Sequence, residues 1–411
     1  MTYDAHLIEE TVRRADRALR EGDHSRANRL LQRLHAAGHA SAETHRMLAT
    51  IGAELGLFDH AGRHADAAHR LQPPTDGRER FLVIRAWGAG FWADVWHTVL
   101  GLAFAEATGR TPIIHWGREC RYRRAGIEDA WRLYFEPVSP HTIATAEAEG
   151  LSIFPPKWTK ANLREIRVNK AAGEWSSFSG LYLMNRREDV CVYDFFTEPD
   201  ELLPWLAPDH PLVLDLETGV KQLYRRYVRL AAPLKEEVDR FAARLIGRRP
   251  TLAVHYRTQS PGKVLEASDM SALRLDTFAE SIDRYLAAHP DAGIYLLTDF
   301  LPAVDFFRDR YGDRVSTRNV TRVKQSQDGS IELNQRYDGI VLGREVVLDT
   351  YLATRCDALL GDGASGVSGA TSWLKDWPEG SVTLLRKPPK ADLTRPVRRH
   401  ADPSAWWNPP A

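Results

Sequence analysis

The sequence predicts an α/β protein: two successive sets of parallel βα units behind an all-helical N-terminal segment. Three observations carry this. A buried strand, a glycine turn, a long apolar helix and a second strand follow one another from Phe81 to Trp116. A second set of the same kind begins at Thr251. From Ala5 to Pro73, apolar and small residues recur at three- and four-residue spacing, with no run of β-branched residues. The 411 residues exceed what a single hydrophobic core serves, so two or three domains are expected. With 43% hydrophobic and 27% charged residues, the composition is that of a folded globular chain. The 55 Lys and Arg balance 55 Asp and Glu, which argues against nucleic acid or an anionic membrane surface as partner. Any anionic ligand must therefore meet a local cluster of donors. Cys120, Cys191 and Cys356 lie far apart and form neither a disulfide framework nor a metal spacing. The opening MTYDAHLIEETVRRAD is acidic and amphipathic, unlike a secretory leader, and no stretch reaches the ~18 apolar residues of a membrane span. A cytoplasmic location is expected.

Within the helical segment, REGDHSRANRLLQRL from Arg20 and LGLFDHAGRHADAAHRLQP from Leu55 align so that Ala27 meets Ala61, 34 residues on. That is the tetratricopeptide period, and the second segment resembles the repeat at Leu55, Gly56, Phe58, Ala61, Ala68 and Pro73. Two repeats are few, because each unit buries its apolar face against the next. The module, residues 1–76, should therefore pack on the domain that follows or on a protein partner.

The βα units predict their own boundaries. FLVIRAWG reads as a strand and turn, Asp94 to Thr108 as a helix, and TPIIHW as the next strand. HPLVLDL near Leu212 reads as a further strand, and Glu217 to Ile246 as one long amphipathic helix ending at GRRP. In the second set, TLAVHYR and GIYLLTD are strands, while Leu275 to Ala288, Pro302 to Tyr311 and Glu345 to Ala358 are mainly helical. ALLG is a strand opening into the turn DGASGVSG, and the Pro-rich tail from Pro389 should run irregularly. The expected division is 77–246 for the first α/β lobe and 247–411 for the second.

Three clusters carry chemistry. The strand AVHYR ends abruptly in His255, Tyr256 and Arg257 before a polar Pro-Gly loop. Ligands of open parallel sheets bind beyond such strand ends, and an Arg there offers a rigid fork for a pyrophosphate. The bland reading of Arg257 is an ion pair with a neighbouring carboxylate, and of His255 a satisfied core histidine. In DGASGVSG, small residues around Ser365 and Gly366 let backbone N–H groups approach an anion. It matches neither GxGxxG nor the Walker pattern, and no GxSxG elbow occurs, so dehydrogenase, P-loop kinase and α/β-hydrolase readings lose their support. The sequence contains no Asp-x-Asp pair of the metal-holding kind, which favours charge neutralisation by Arg and backbone donors without metal. In the third cluster, Gly88 and Gly90 before a helix start should leave backbone N–H groups free, and the aromatics Trp87, Phe91, Trp92 and Trp96 either line a sugar-binding cleft or are simply core.

Taken in order, the clusters resemble the inverting GDP-fucose transferases, the superfamily of nodulation and core α1,6-fucosyltransferases and protein O-fucosyltransferases. GAGFWADVWH, LAFAEATGRTPIIHWGREC and YFEP at 134–137 resemble the first lobe of the nodulation enzymes. His255-x-Arg257, YLLTD at 295–299 and a Val-x-x-Asp helix with Asp349 leading to Ser365 resemble the three second-lobe motifs. The resemblance implies a GT-B fold, with two Rossmann-like lobes facing a cleft. It implies that Arg257 clamps the β-phosphate, that His255 and Asp349 meet the guanine, and that Ser365 and Gly366 donate to the diphosphate. Lys263 joins Arg257 in charge stabilisation, Glu266 is the implied general base, and Gly90, Phe91, Trp92 and His97 border the sugar and acceptor. Thr258 stands where several members carry a second Arg, and Trp92 follows Phe91 where a Gly is usual. The second departure leaves room for a different GDP-sugar.

The expected activity is transfer of a sugar, fucose in the family, from a GDP-sugar to a hydroxyl of a glycan, peptide or other acceptor. No cofactor or metal beyond the GDP-sugar co-substrate is expected. The alternatives are a transferase for another nucleotide sugar, since fold alone does not fix the donor, and a non-catalytic adaptor built on the helical module.

Overall fold

The structure is a computed structural model that describes residues 4–55, 57, 60–61, 63–64, 67–68, 71, 77–154, 158–165, 188–193, 202, 206, 210–246, 249–257, 274–324 and 337–386. Three helices open the chain: α1 (Ala5–Arg20), α2 (His24–Ala36) and α3 (Ala42–Glu54). Asp4 and Asp23 start the first two by accepting from Leu7 N and Arg26 N, at 2.8 and 2.9 Å. A buried His24–Glu54 pair ties α2 to α3. Ala27 and Ala61 are both helical and fully buried, whereas Gly56, Phe58 and Pro73 of the repeat lie outside the described residues. Ala15, Leu19, Leu31 and Met47 belong to one continuous core with Ile84 of the first sheet, and the Arg20 guanidinium lies 5.7 Å from the Phe154 ring centre. The helical segment thus packs on the unit that follows it.

Among the described residues two separate parallel sheets form. The first contains β1 (Phe81–Arg85), β2 (Thr111–His115), β3 (Ile153–Phe154) and β4 (Val190–Tyr193), in the order β2-β1-β4-β3. Helix α4 (Phe91–Thr108) makes the crossover from β1 to β2, and Arg85 pairs with His115 in register. This is the βα unit expected from the sequence. The second sheet contains β5 (Thr251–Tyr256), β6 (Gly293–Thr298), β7 (Val315–Ser316), β8 (Ala358–Gly361) and β9 (Val382–Leu384), in the order β7-β6-β5-β8-β9. Every residue of β1, β4, β5, β6 and β8 is buried, as parallel strands covered on both faces must be.

Several expectations need correction. HPLVLDL is not a strand: Pro211–Leu214 is a single helical turn, with Pro211 in its first turn and His210 Nδ1 accepting from Leu212 N at 3.2 Å. The long helix from Glu217 is two helices, α5 (Leu216–Tyr227) and α6 (Ala232–Leu245). The break at Val228–Ala231 pairs with the YFEP segment: Ala231 N donates to Tyr134 O at 3.0 Å, and Glu136 N to Arg229 O at 2.8 Å. These tertiary bonds, together with Pro233, override the helical periodicity. Helices α7 (Leu275–Ala288) and α8 (Leu301–Tyr311) lie as expected. Helix α9 (Gly339–Ala353) starts six residues before Glu345 because Asp338 caps it, accepting from Ile340 N at 2.9 Å. The DGASGVSG segment is a turn only through Ser365, after which α10 (Gly366–Trp373) begins.

The units of the two sheets meet through α4, α5, α9 and α10. Trp92 Nε1 donates to Thr350 Oγ1 at 2.9 Å in a fully buried contact, and Tyr351 Oη donates to Val228 O at 2.6 Å. The Trp96 and Trp373 rings stack with centroids 5.2 Å apart. No helix among the described residues is long and apolar enough to cross a membrane.

Candidate functional site

In the second sheet, connections leave β5 toward β6 and β7 on one side and reach β8 and β9 on the other. The crevice therefore opens between the carboxyl ends of β5 and β8, where such sheets place ligands. His255 pairs with Gly361 in register, so His255 and Arg257 border Asp362–Ser365 at this rim. The His255 ring is buried and shares a hydrogen bond of 2.8 Å between Nδ1 and Ser368 Oγ. Burial, then the charge of Arg257, lower its pKa to about 3, with Asp362 opposing, so the imidazole is neutral at pH 7. Gly361 makes the His255–Ser368 bond possible: a Cβ there would stand 2.5 Å from Ser368 Oγ. Arg257 pairs with Asp299 at 3.5 Å, with its side chain 32% exposed. The guanidinium is thus partly exposed at the rim, where its fork of donors can meet an anion.

Two helix N-termini meet near this rim, and they differ in what they offer. At α4, Phe91 N donates to Tyr122 Oη at 2.8 Å and Ala89 N to Asp94 Oδ1 at 3.1 Å. The expected free N–H groups around Gly88 and Gly90 are thus partly consumed by the protein itself. At α10, the side chain of Ser365, the N-cap residue, makes no capping bond, and no side chain among the described residues is seen to accept from the first-turn N–H groups. An anion fits the second terminus and not the first. Asp362, the nearest carboxylate along the chain, is neutralised: burial pushes its pKa up, but hydrogen bonds from Arg386 and the Ala364 N–H outweigh this and hold it below the ordinary range.

Not every residue singled out by sequence reaches the rim as an open side chain. Phe91 and Trp92 are each 3% exposed and belong to the core, Phe91 standing edge-on to Trp116, Tyr122 and Tyr134. His97 is fully buried and stacks on Tyr193 with centroids 4.8 Å apart. Gly90 is the N-cap of α4 and half-buried. Asp349 is engaged internally: its Oδ1 accepts from Arg318 at 2.8 Å and from Tyr295 Oη at 3.0 Å. Burial raises its pKa, while the Arg318 charge and hydrogen bond pull the other way. Lys263 and Glu266 lie outside the described residues.

Sequence reasoning missed Ser368, Tyr122, Arg318 and Arg386. The serine-rich turn was the one available signal for the first, and nothing local marks the others as partners. It also missed a buried ionic cluster at the carboxyl ends of β1 and β2. Arg85, fully buried, pairs with Glu119, donates to the carbonyls of Leu163 and Glu165, and stacks 4.3 Å from the Trp158 ring centre. Beside it, burial and the charges of Arg85, Arg164 and Arg123 lower the His115 pKa to about 3.

The sequence matches no family model and no curated protein. Among solved structures the chain is similar to fucosyltransferases. One is a NodZ α-1,6-fucosyltransferase soaked with GDP-fucose, at 18% identity and TM-score 0.49, covering 72% of this chain and 93% of that one. Another is fucosyltransferase NodZ from Bradyrhizobium, at 18% identity and TM-score 0.47, with coverage of 72% and 92%. A third is POFUT1 in complex with GDP-fucose, at 12% identity and TM-score 0.47, with coverage of 76% and 98%.

Proposed function

We propose that this protein is an inverting glycosyltransferase that takes its sugar, fucose as the leading case, from a GDP-sugar and needs no metal. The observation that carries the reading is the N-terminus of α10, which Ser365 does not cap, beside the partly exposed Arg257 at the switch point of a parallel sheet. The motif resemblance supplies the identity of the donor. Residues 247–411 are then the donor lobe and 77–246 the acceptor lobe, while the helical module of residues 1–76, read as tetratricopeptide-like, serves acceptor or partner recognition.

In this reading the diphosphate lies on the first turn of α10, with Ser365 Oγ and the Gly366 N–H as donors and Arg257 on the β-phosphate. His255, neutral at pH 7 and oriented by Ser368, offers Nε2 to the nucleotide. As the bond between C1 and the β-phosphate oxygen breaks, the diphosphate gains negative charge and the sugar becomes oxocarbenium-like. Preorganised donors around the departing charge are the largest expected contribution to the rate. The acceptor oxygen forms its bond to C1 from the opposite face and gives its proton to Glu266, while Lys263 adds positive charge on the donor side. Asp349 contributes to the base pocket through its ion pair with Arg318.

A nucleotide panel tests the donor class. GDP at a hundred times its dissociation constant should stabilise the folded protein by about 2.7 kcal/mol through mass action, and UDP at equal concentration should not. Equal thermal shifts with GDP and UDP would remove the guanine assignment, and no shift with either would remove the nucleotide site.

A further inference from the structure

The loop after β2, from Arg118 to Arg124, carries four arginines. Two are neutralised, Arg118 by Glu165 at 2.7 Å and Arg124 by Asp338. The other two bond only to carbonyls among the described residues. Arg123 Nη1 donates to Ile127 O at 2.6 Å and to Arg124 O at 3.1 Å. Arg121 Nε donates to Gly88 O at 2.7 Å, and its side chain is exposed. An exposed guanidinium without a carboxylate, anchored through Nε, keeps its Nη groups for another acceptor.

The anchor also places Arg121 near the rim. Gly88 begins the turn that leads into α4, and the first residue of α10 abuts that helix: a Cβ on Gly366 would stand 3.2 Å from Trp92 Cβ. The backbone of Arg121 is fixed from the second-sheet side as well, since a Cβ on Gly339 of α9 would run into the Arg121 carbonyl oxygen. Arg121 is therefore held between the β1–α4 turn and the start of α9, beside the helix start on which α10 begins. Its charge is positioned before any ligand arrives.

We infer that Arg121 is a second phosphate clamp, meeting the β-phosphate of a nucleoside diphosphate from the first-sheet side while Arg257 holds it from the second. The inference rests on the nucleotide site proposed above. With the nucleoside over the second sheet and the sugar turned toward the first, the β-phosphate is the nearer of the two phosphates to Arg121. A charge-assisted bond of this kind corresponds to about a tenfold or greater change in affinity.

Calorimetric titration of the full-length protein with GDP and with GMP tests this. Arg121→Gln should weaken GDP at least tenfold and GMP less than twofold, and Arg121→Lys, which keeps the charge but not the fork, should fall between. A merely structural Arg121 would weaken both nucleotides alike, and that result overturns the inference, as does GDP affinity within twofold of wild type. Should Arg121→Gln not fold, Arg121→Lys decides alone through the same ratio of GDP to GMP affinity. Loss of GDP binding in Arg257→Ala beside unchanged binding in both Arg121 variants would refute the clamp and keep the site. A wild-type protein that binds neither nucleotide would refute the site itself.

Discussion

Removing Ser368 Oγ should destabilise the second sheet unit by an amount the structure sets. His255 is 5% exposed and its Nδ1 bonds to Ser368 Oγ at 2.8 Å, so Ser368→Ala leaves a buried ring nitrogen unpaired, at a cost of roughly 1–3 kcal/mol. Gly361→Ala attacks the same bond from the other side, driving a methyl to 2.5 Å from Ser368 Oγ and 3.0 Å from its Cβ. Overpacking of this kind costs roughly 1–3 kcal/mol. In the double variant the oxygen that the new methyl meets is gone, and the imidazole nitrogen has already lost its partner. The two costs should therefore fall short of adding, by about 1 kcal/mol or more, as expected for changes sharing one contact. Urea unfolding of the wild type, both single variants and the double, followed by circular dichroism, measures this coupling. Additivity within about 0.5 kcal/mol would refute the claim that Gly361 is small to make room for the Ser368–His255 bond.

Other expectations follow from the same structure. Because burial lowers the pKa values of His255 and His115 from 6.5 to about 3, the folded state resists protons that the unfolded chain accepts. Stability should be fully present above about pH 6.5 and fall toward pH 3 by roughly 1.4 kcal/mol per unit for each histidine, so His115→Asn should flatten the pH profile of unfolding. An unchanged slope would show that the ring is not buried neutral. Transfer activity should survive EDTA; loss of activity that magnesium restores would contradict the proposed all-protein diphosphate site. Leu31→Ala, at a fully buried position of α2, should cost about 2–5 kcal/mol of stability. It should leave GDP affinity of the folded protein within twofold by calorimetry, and a tenfold loss would mean that the helical module shapes the nucleotide site.

Much of this architecture was legible where the chain's periodicity and its tertiary contacts agree. FLVI, LAV and IYLL are apolar stretches inside strands that are buried along their whole length, because both faces of each parallel strand are covered. Leu275–Ala288 shows one buried stripe and was placed to the residue. The failures fall where a distant contact decides. The break between α5 and α6 depends on Tyr134 and Glu136, about ninety residues upstream, and nothing in the helical pattern reports them. The Pro211–Leu214 turn carries too few residues for its period to distinguish strand from helix. At the candidate site, His255, Arg257 and Ser365 stood out because polar residues end an apolar strand or open a small-residue turn. Which of them an internal partner would occupy was not readable. The Asp349–Arg318 pair, the Asp299 carboxylate beside Arg257 and the Tyr122 hydroxyl on the α4 terminus are all contacts across chain separations of 31 residues or more. Phe91 and Trp92 illustrate the same limit, since an aromatic at a strand end reads alike whether it lines a cleft or fills a core.

The central claim is that Arg257 and the α10 N-terminus stabilise the diphosphate leaving a GDP-sugar. Its most direct test is GDP release from GDP-fucose by purified wild type and Arg257→Ala, with UDP-sugars as controls and circular dichroism confirming that the variant is folded. Loss of one preorganised donor should cost about 2.7–4 kcal/mol at the transition state, lowering the rate roughly 100- to 1,000-fold. Wild type should release GDP, the folded variant should show that drop, and UDP-sugars should turn over little. Near-normal turnover by folded Arg257→Ala, or release from UDP-sugars as fast as from GDP-fucose, would contradict the central claim.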